Sequence, residues 1–351
     1  MLATFATGAI ALPGHPVAAE PAEPALDPEA LVQELQACLG ARAQGPDAPD
    51  SLAALQALSL ECLYSTLIVT PDGRIRPDAS TRLETLVTAA GLELPTAQSR
   101  GSATADLSLI PESNLFALDV TIQEQSLNFL LDTGASNSLL EATALARLDL
   151  AGTPVPPQLL EYLVVGDECD RLQAQIVNLP AISVQTAQVS GITSIGLAQS
   201  PVFDTTEADG VLGLDFLQGF DTTIDPAARQ LHLAPPSGPN PDAIPLEGRL
   251  GVMVTAVYVN GQGPYQFLLD TGASRSVISP TVARSAQIPT GSPVEIQGFC
   301  GPETGSQARL DRLRIEDFAA TDLDALILES EVLQLLGVDG IVGQNFLSRY
   351  R

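Results

Sequence analysis

Two aspartates, Asp132 and Asp270, stand in identical surroundings: each is the fourth residue of the octapeptide FLLDTGAS, found at 129–136 and again at 267–274. A carboxylate that follows three apolar residues and precedes Thr-Gly is set to be buried, and burying a lone charge is costly. Two such groups facing each other resolve this, because neighbouring carboxyls that cannot easily both ionise share a proton and titrate as a pair. In that state one member is a general base and the other a general acid, and water held between them can attack a carbonyl. The neighbours suit the task. Thr133 and Thr271 can hydrogen-bond across to the opposite loop and fix the separation of the carboxyls. Gly134 and Gly272 permit a tight turn whose N–H groups reach the carboxylates, and Ala135 and Ala273 keep the loop small.

The octapeptides belong to a longer internal repeat, which decides the architecture. Residues 125–148 align without gaps on 263–286, an offset of 138, and DGVLGLDFL (209–217) matches DGIVGQNFL (339–347) at an offset of 130. In these second landmarks two bulky residues precede Gly213 or Gly343, as suits a strand passing close beneath the aspartate loop. Between the repeats, APPSGPNPDA reads as an extended linker. The chain therefore divides into a leader (1–24), a helical accessory segment (25–102), a first lobe (103–233), the linker (234–243) and a second lobe (244–351).

Within the lobes, LFALDVTI, LNFLLD, LGVMVTAVYV and YQFLLD are short runs rich in Val, Ile, Leu and Phe and read as strands. Asn260-Gly261 between two apolar runs signals a hairpin. Helical pieces are few, EATALARL after the first octapeptide and PTVARSA after the second, so the lobes are mostly β. The accessory segment differs. Asp27-Pro28-Glu29 caps a helix expected to stop before Gly40, a second helix covers Leu52 to Cys62, VTPDGRIRP makes a hairpin turn, and Thr81-x-x-Glu84 opens a third helix that stops near Gly91. Cys38 and Cys62 fall on apolar faces of adjacent helices, where a disulfide and two buried thiols look alike in sequence.

The D-T-G-A-S segments, each followed by a hydrophobic-hydrophobic-Gly landmark, resemble the retroviral-type (retropepsin-like) branch of aspartic peptidases over roughly 107–351. Their dyad is the standard example of the shared-proton effect invoked above. The resemblance implies a mostly β fold of two pseudo-twofold-related acid-protease β-barrel lobes, each playing the part of one subunit of the viral dimer. It makes Asp132 and Asp270 catalytic, with Thr133, Gly134, Thr271, Gly272, Gly213 and Gly343 supporting the loops. The implied activity is that of an aspartic endopeptidase, a monomer with an intramolecular pseudo-dimer that holds a polypeptide in extended conformation and needs no cofactor or metal. The alternative is a catalytically silent peptide-binding or assembly module on the same fold. Ala135 and Ala273 stand where the pepsin-like branch commonly has a hydroxyl that favours the charged carboxylate, so a mildly acidic optimum, less acidic than pepsin's, is expected.

In retropepsin-like lobes a hairpin between the landmarks folds over the substrate. The corresponding stretches are 159–177 and 294–310, with Cys169 and Cys300 near the tips. A disulfide joining the flaps and two separate thiols are both compatible with the sequence. Lobe 1 continues past its landmark as a strand, a turn and another strand, whereas lobe 2 stops at FLSRYR. Either the sequence is truncated there or the segment near STLIVTPDGRI supplies a replacement strand.

Composition narrows the field. The 351 residues carry a formal charge of -26 and no Lys, which argues against a nucleic-acid partner. His15 and His232 are the only histidines and His15 lies in the leader, which argues against a Ser-His triad and against a His-rich metal site. Each loop offers one carboxylate and no EF-hand pattern, against a calcium site. The stretch MLATFATGAIALPGHPVAAE ends in a small-x-small cleavage form, pointing to export to the periplasm or outside the cell. No later run of about 20 apolar residues suggests a membrane span.

Overall fold

The computed structural model describes residues 26–44, 49, 51–70, 76, 78–79, 81–82, 85–86, 97–111, 113–155, 172–238, 240, 243–249 and 251–350. The leader, Cys169, most of the first flap, the turn at 71–75 and most of the third accessory helix lie outside them. The chain forms two compact units that part between residues 94 and 95.

The first unit holds helices α1 (Pro28–Ala43) and α2 (Leu52–Leu67). Asp27 caps α1 by accepting from the Glu29 N–H, and Ser51 caps α2 through Ala54 N–H. Both helices outrun the sequence expectation. Gly40 lies inside α1, since one glycine costs a helix only about 1 kcal/mol and the Ala-rich stretch around it favours continuation. Nothing between Leu63 and Leu67 breaks α2. A disulfide joins Cys38 to Cys62 with Cα atoms 5.7 Å apart, so the thiol alternative is set aside.

Lobe 1 of the second unit contains β1 (Gln98–Arg100), β2 (Ala103–Asp106), β3 (Ser108–Leu109), β4 (Phe116–Ile122), β5 (Gln125–Leu131), β6 (Leu139–Glu141), α3 (Ala142–Arg147) and β7 (Thr153–Val155). It continues with β8 (Gln173–Asn178), β9 (Ile182–Val184), β10 (Ala187–Ser190), β11 (Thr193–Ala198), α4 (Pro201–Thr206), β12 (Gly210–Leu212), α5 (Leu214–Leu217), β13 (Asp221–Asp225) and β14 (Gln230–Ala234). Lobe 2 comprises β15 (Glu247–Arg249), β16 (Val252–Val259), β17 (Gln262–Leu269), β18 (Ser276–Ile278), α6 (Pro280–Ser285), β19 (Pro293–Gly298), β20 (Gly301–Ile315), β21 (Phe318–Ile327), α7 (Glu331–Leu336), β22 (Gly340–Val342) and α8 (Gln344–Leu347).

The repeat in sequence is a repeat in topology. Lobe 1 runs β4-β5-β12-β6-β11-β8 through the middle of its sheet, and lobe 2 runs β16-β17-β22-β18-β21-β20. Pairing of β16 with β20 closes the latter six strands into a ring. The octapeptide begins on β5 or β17, each flanked by an antiparallel hairpin partner and a parallel landmark strand. A strand so enclosed is buried on both faces, which is why it reads Phe-Leu-Leu without polar alternation. Phe129 and Phe267 are fully buried at equivalent positions, as are Phe216 and Phe346 behind the landmarks, so matching aromatics seed both cores.

The hairpin at Asn260-Gly261 places both residues at positive φ, 50° and 81°. Its lobe 1 counterpart uses Gln123 and Glu124 at 48° and 64°, residues that carry no turn signal. The strand β1 pairs with β10, which draws the edge of lobe 1 to before residue 103. The pair β13–β14, with β2, forms a three-stranded sheet in lobe 1. Among the described residues lobe 2 has no such sheet.

Candidate active site

Each octapeptide leaves its strand at the aspartate, whose N–H is still held in the sheet: Asp132 N–H donates to the Leu212 carbonyl and Asp270 N–H to the Val342 carbonyl, both at 3.1 Å. The landmark strand then runs directly under the loop. Leu214 N–H donates to the Ala135 carbonyl at 2.9 Å and Gln344 N–H to that of Ala273 at 2.8 Å. This approach requires Gly213 and Gly343. A Cβ on Gly213 would lie 2.7 Å from the Asn137 carbonyl carbon, and one on Gly343 would lie 2.6 Å from that of Arg275.

The two loops are tied by four reciprocal bonds. Thr133 N–H donates to Thr271 Oγ1 at 3.0 Å and Thr271 N–H to Thr133 Oγ1 at 3.1 Å, while each hydroxyl donates to the opposite chain segment, at the Leu269 and Leu131 carbonyls, at 2.8 Å. Both threonines are buried, so every donor and acceptor here is satisfied away from water. The tie brings each carboxyl against the opposite glycine. A Cβ on Gly134 would stand 2.5 Å from Asp270 Cγ, and one on Gly272 would stand 2.4 Å from Asp132 Cγ.

Gly134 and Ala135 N–H groups donate to Asp132 Oδ1 at 2.8 and 3.1 Å, and Gly272 N–H donates to Asp270 Oδ1 at 2.8 Å. Asp132 is only 8% exposed. Burial raises the pKa of both carboxyls, and for Asp270 the Asp132 charge and a hydrogen bond between the two side chains push it well above the ordinary value. The loop N–H groups pull the other way and are outweighed. The pair therefore keeps a proton at pH values where isolated carboxyls have lost theirs. A shared proton and a second, hydrogen-bonded carboxylate are the parts needed to activate a water and to protonate a leaving group.

Several supporting residues escaped the sequence reading. Ser138 Oγ accepts from Gly213 N–H at 3.1 Å and donates to Asp215 Oδ1 at 2.6 Å. In lobe 2, Ser276 Oγ accepts from Gly343 N–H at 3.2 Å and donates to Asn345 Oδ1 at 3.0 Å. A serine six residues after each aspartate was visible in the repeat but lies outside the octapeptide. The lobes diverge at its partner. Half-buried Asp215 has its pKa raised to about 6 by desolvation, against the hydrogen bonds from Ser138. Asn345 is neutral and uses its other end to donate to the Asp324 carbonyl at 2.6 Å. Gln344, 1% exposed, donates to the Thr271 carbonyl at 3.3 Å where lobe 1 has Leu214.

Cys300 occupies the tip of the β19–β20 hairpin, is 4% exposed and is disulfide-bonded. Cys169, its suggested partner, lies outside the described residues, and Cys38 and Cys62 belong to the helical unit. Among the described residues no carboxylate, imidazole and thiol groups cluster as a metal-ligand set, and no helix is long and apolar enough to cross a membrane.

The fold and these loops define an aspartic protease class. Residues 118–219 and 255–349 match the family described as gag-polyprotein putative aspartyl protease, one segment in each lobe and together more than half of the chain. The chain belongs to that family, with a tandem retropepsin-like fold. No curated protein matches it in sequence. Among solved structures, a retropepsin-like aspartic protease from Rickettsia conorii is similar at 18% identity, covering 39% of this chain and 93% of that one with a TM-score of 0.26.

Proposed function

We propose that the protein is an aspartic endopeptidase that hydrolyses peptide bonds through a water activated by Asp132 and Asp270. The observation that carries this reading is the reciprocal Thr133–Thr271 tie, which holds the two aspartate loops together so that the Asp132 and Asp270 carboxyls hydrogen-bond to each other. The ionised member takes a proton from the water as its oxygen bonds to the peptide carbonyl carbon, and the protonated member hydrogen-bonds the carbonyl oxygen. Collapse of the resulting tetrahedral adduct breaks the C–N bond while a carboxyl protonates the departing amine. The substrate is an extended polypeptide, paired strand-like between the lobes. The Cys38–Cys62 disulfide supports work in an oxidising compartment outside the cytosol.

The raised pKa of both carboxyls gives the pH dependence. The reactive form holds one proton, and raising both values moves its window upward from the ordinary carboxylate range. Unfolded casein should be cleaved best at mildly acidic pH, with pepstatin suppressing cleavage. A peak near pH 2 would contradict the assigned pair environment, and binding of casein without any cleavage would instead support a silent peptide-binding module.

A further inference from the structure

Leu214 and Gln344 occupy matched positions, each directly after a landmark glycine and each opening a short helix, α5 or α8. Their backbones do the same work, donating an N–H to the Ala135 or Ala273 carbonyl. Their side chains do not. Leu214 is buried in the apolar core of lobe 1. Gln344 is buried as well, yet its amide Nε2 donates to the Thr271 carbonyl at 3.3 Å. Burying an amide is costly unless it is hydrogen-bonded, and leucine fits at the matched position, so packing alone does not call for glutamine here.

The carbonyl that Gln344 holds belongs to the peptide unit joining Thr271 to Gly272. The N–H of that same unit donates to Asp270 Oδ1 at 2.8 Å. Gly272 also stands against the other carboxyl, where an added Cβ would meet Asp132 Cγ, and its N–H favours the ionised form of Asp132 as well as that of Asp270. One peptide unit of lobe 2 therefore bears on both aspartates through its N–H and is held by Gln344 through its carbonyl. Hydrogen bonds at the two ends of a peptide strengthen each other, and the second one also fixes the direction of the first. In lobe 1 the corresponding Thr133–Gly134 peptide has Leu214 in this place, a side chain with no donor to give. Among charged groups, Asp132 faces Asp270 from the opposite loop. Asp215, behind the lobe 1 loop, is engaged by Ser138, and Asp339, ahead of β22, accepts from the Gln266 N–H at 2.9 Å. Arg275 follows half-buried on the Asp270 loop, and α8 itself carries no charge.

We propose that Gln344 is a positioning residue for the dyad: it fixes the Thr271–Gly272 peptide, so that lobe 2 rather than lobe 1 sets how firmly the pair holds its shared proton. The inference rests on the peptidase reading above, in which the two carboxyls work with one proton, and adds the residue that governs that proton. The sign follows from the geometry. Gln344 sharpens an N–H that stabilises the ionised form, so its removal makes the pair keep its proton to higher pH.

The titration is followed in full-length protein labelled with carbon-13 at the aspartate Cγ, the signals of the pair being identified by their loss in Asp132→Asn and Asp270→Asn. Two variants remove the donor: Gln344→Met, close to glutamine in length and volume, and Gln344→Leu, the residue that lobe 1 accommodates at the matched position. In both, the midpoint at which the pair loses its proton should rise by about half a pH unit, and the high-pH limb of casein cleavage should move with it. A midpoint that stays put or falls in the two variants, whatever happens to their thermal stability, would overturn the proposal and leave Gln344 as a packing residue. Wild-type protein that cleaves nothing while the titration shift appears would remove the peptidase reading and leave the positioning of the carboxyl pair by Gln344 standing.

Discussion

Asp215 shows what one atom pair changes between otherwise matching halves. Its carboxylate accepts from both the N–H and the hydroxyl of Ser138, the serine that holds Gly213 under the Asp132 loop. Lobe 2 does the same with an amide, Asn345. A carboxyl whose folded pKa is raised to about 6 from 3.8 binds its proton more tightly in the native state than in the unfolded chain. Its support for the fold is therefore complete below about pH 4 and lost as pH rises through about 6. Asp215→Asn, neutral throughout, should match wild type in denaturant stability at pH 4 and exceed it at pH 7.5 by up to about 3 kcal/mol. A difference that is flat with pH would show that Asp215 is not protonated in the fold. This asymmetry was hidden in the sequence, where LDF and QNF look like ordinary drift between repeats, because the cost of a buried carboxyl depends on partners that only the fold supplies.

At the scale of elements, the central unit is the landmark strand crossing beneath the aspartate loop. Gly213→Ala places a methyl 2.7 to 2.8 Å from backbone atoms of Asn137 and Ala135, and Gly343→Ala repeats the clash against Arg275 and Ala273. Backbone cannot yield as a side chain can, so each change should cost about 2–4 kcal/mol by thermal or denaturant unfolding. Gly248→Ala, whose added carbon meets nothing within 4 Å, is the control and should be within about 0.5 kcal/mol of wild type. Equal stability of all three would contradict the close passage. These landmarks were legible because a matching motif, two bulky residues and a glycine, recurs where geometry permits few residues. The turn at Gln123–Glu124 and the short helices Leu214–Leu217 and Gln344–Leu347 were not, since tertiary pairing of the flanking strands imposes them against weak local preference. The overrun of α1 past Gly40 has the same origin: a modest propensity penalty loses to helix packing and a disulfide.

For the whole molecule, duplication in one chain changes the thermodynamics of the site. The threonine tie joins residues 138 apart in one polypeptide, where a two-chain version would make the same bonds between subunits. Specific activity should therefore stay constant on dilution across the range in which a two-chain site dissociates, as followed by initial rates at falling enzyme concentration. A steady loss of activity per molecule would mean that a second copy completes the site.

The central claim is that Asp132 and Asp270 act as one device with one proton. It is tested most directly by peptide-bond cleavage of unfolded casein, quantified from newly formed amino termini, in wild type and in Asp132→Asn and Asp270→Asn separately. Each single change should remove nearly all cleavage, by a factor of about a thousand or more, because a base without its acid partner lacks half the proton transfers. Undiminished cleavage in either variant, with both proteins folded, would contradict the account.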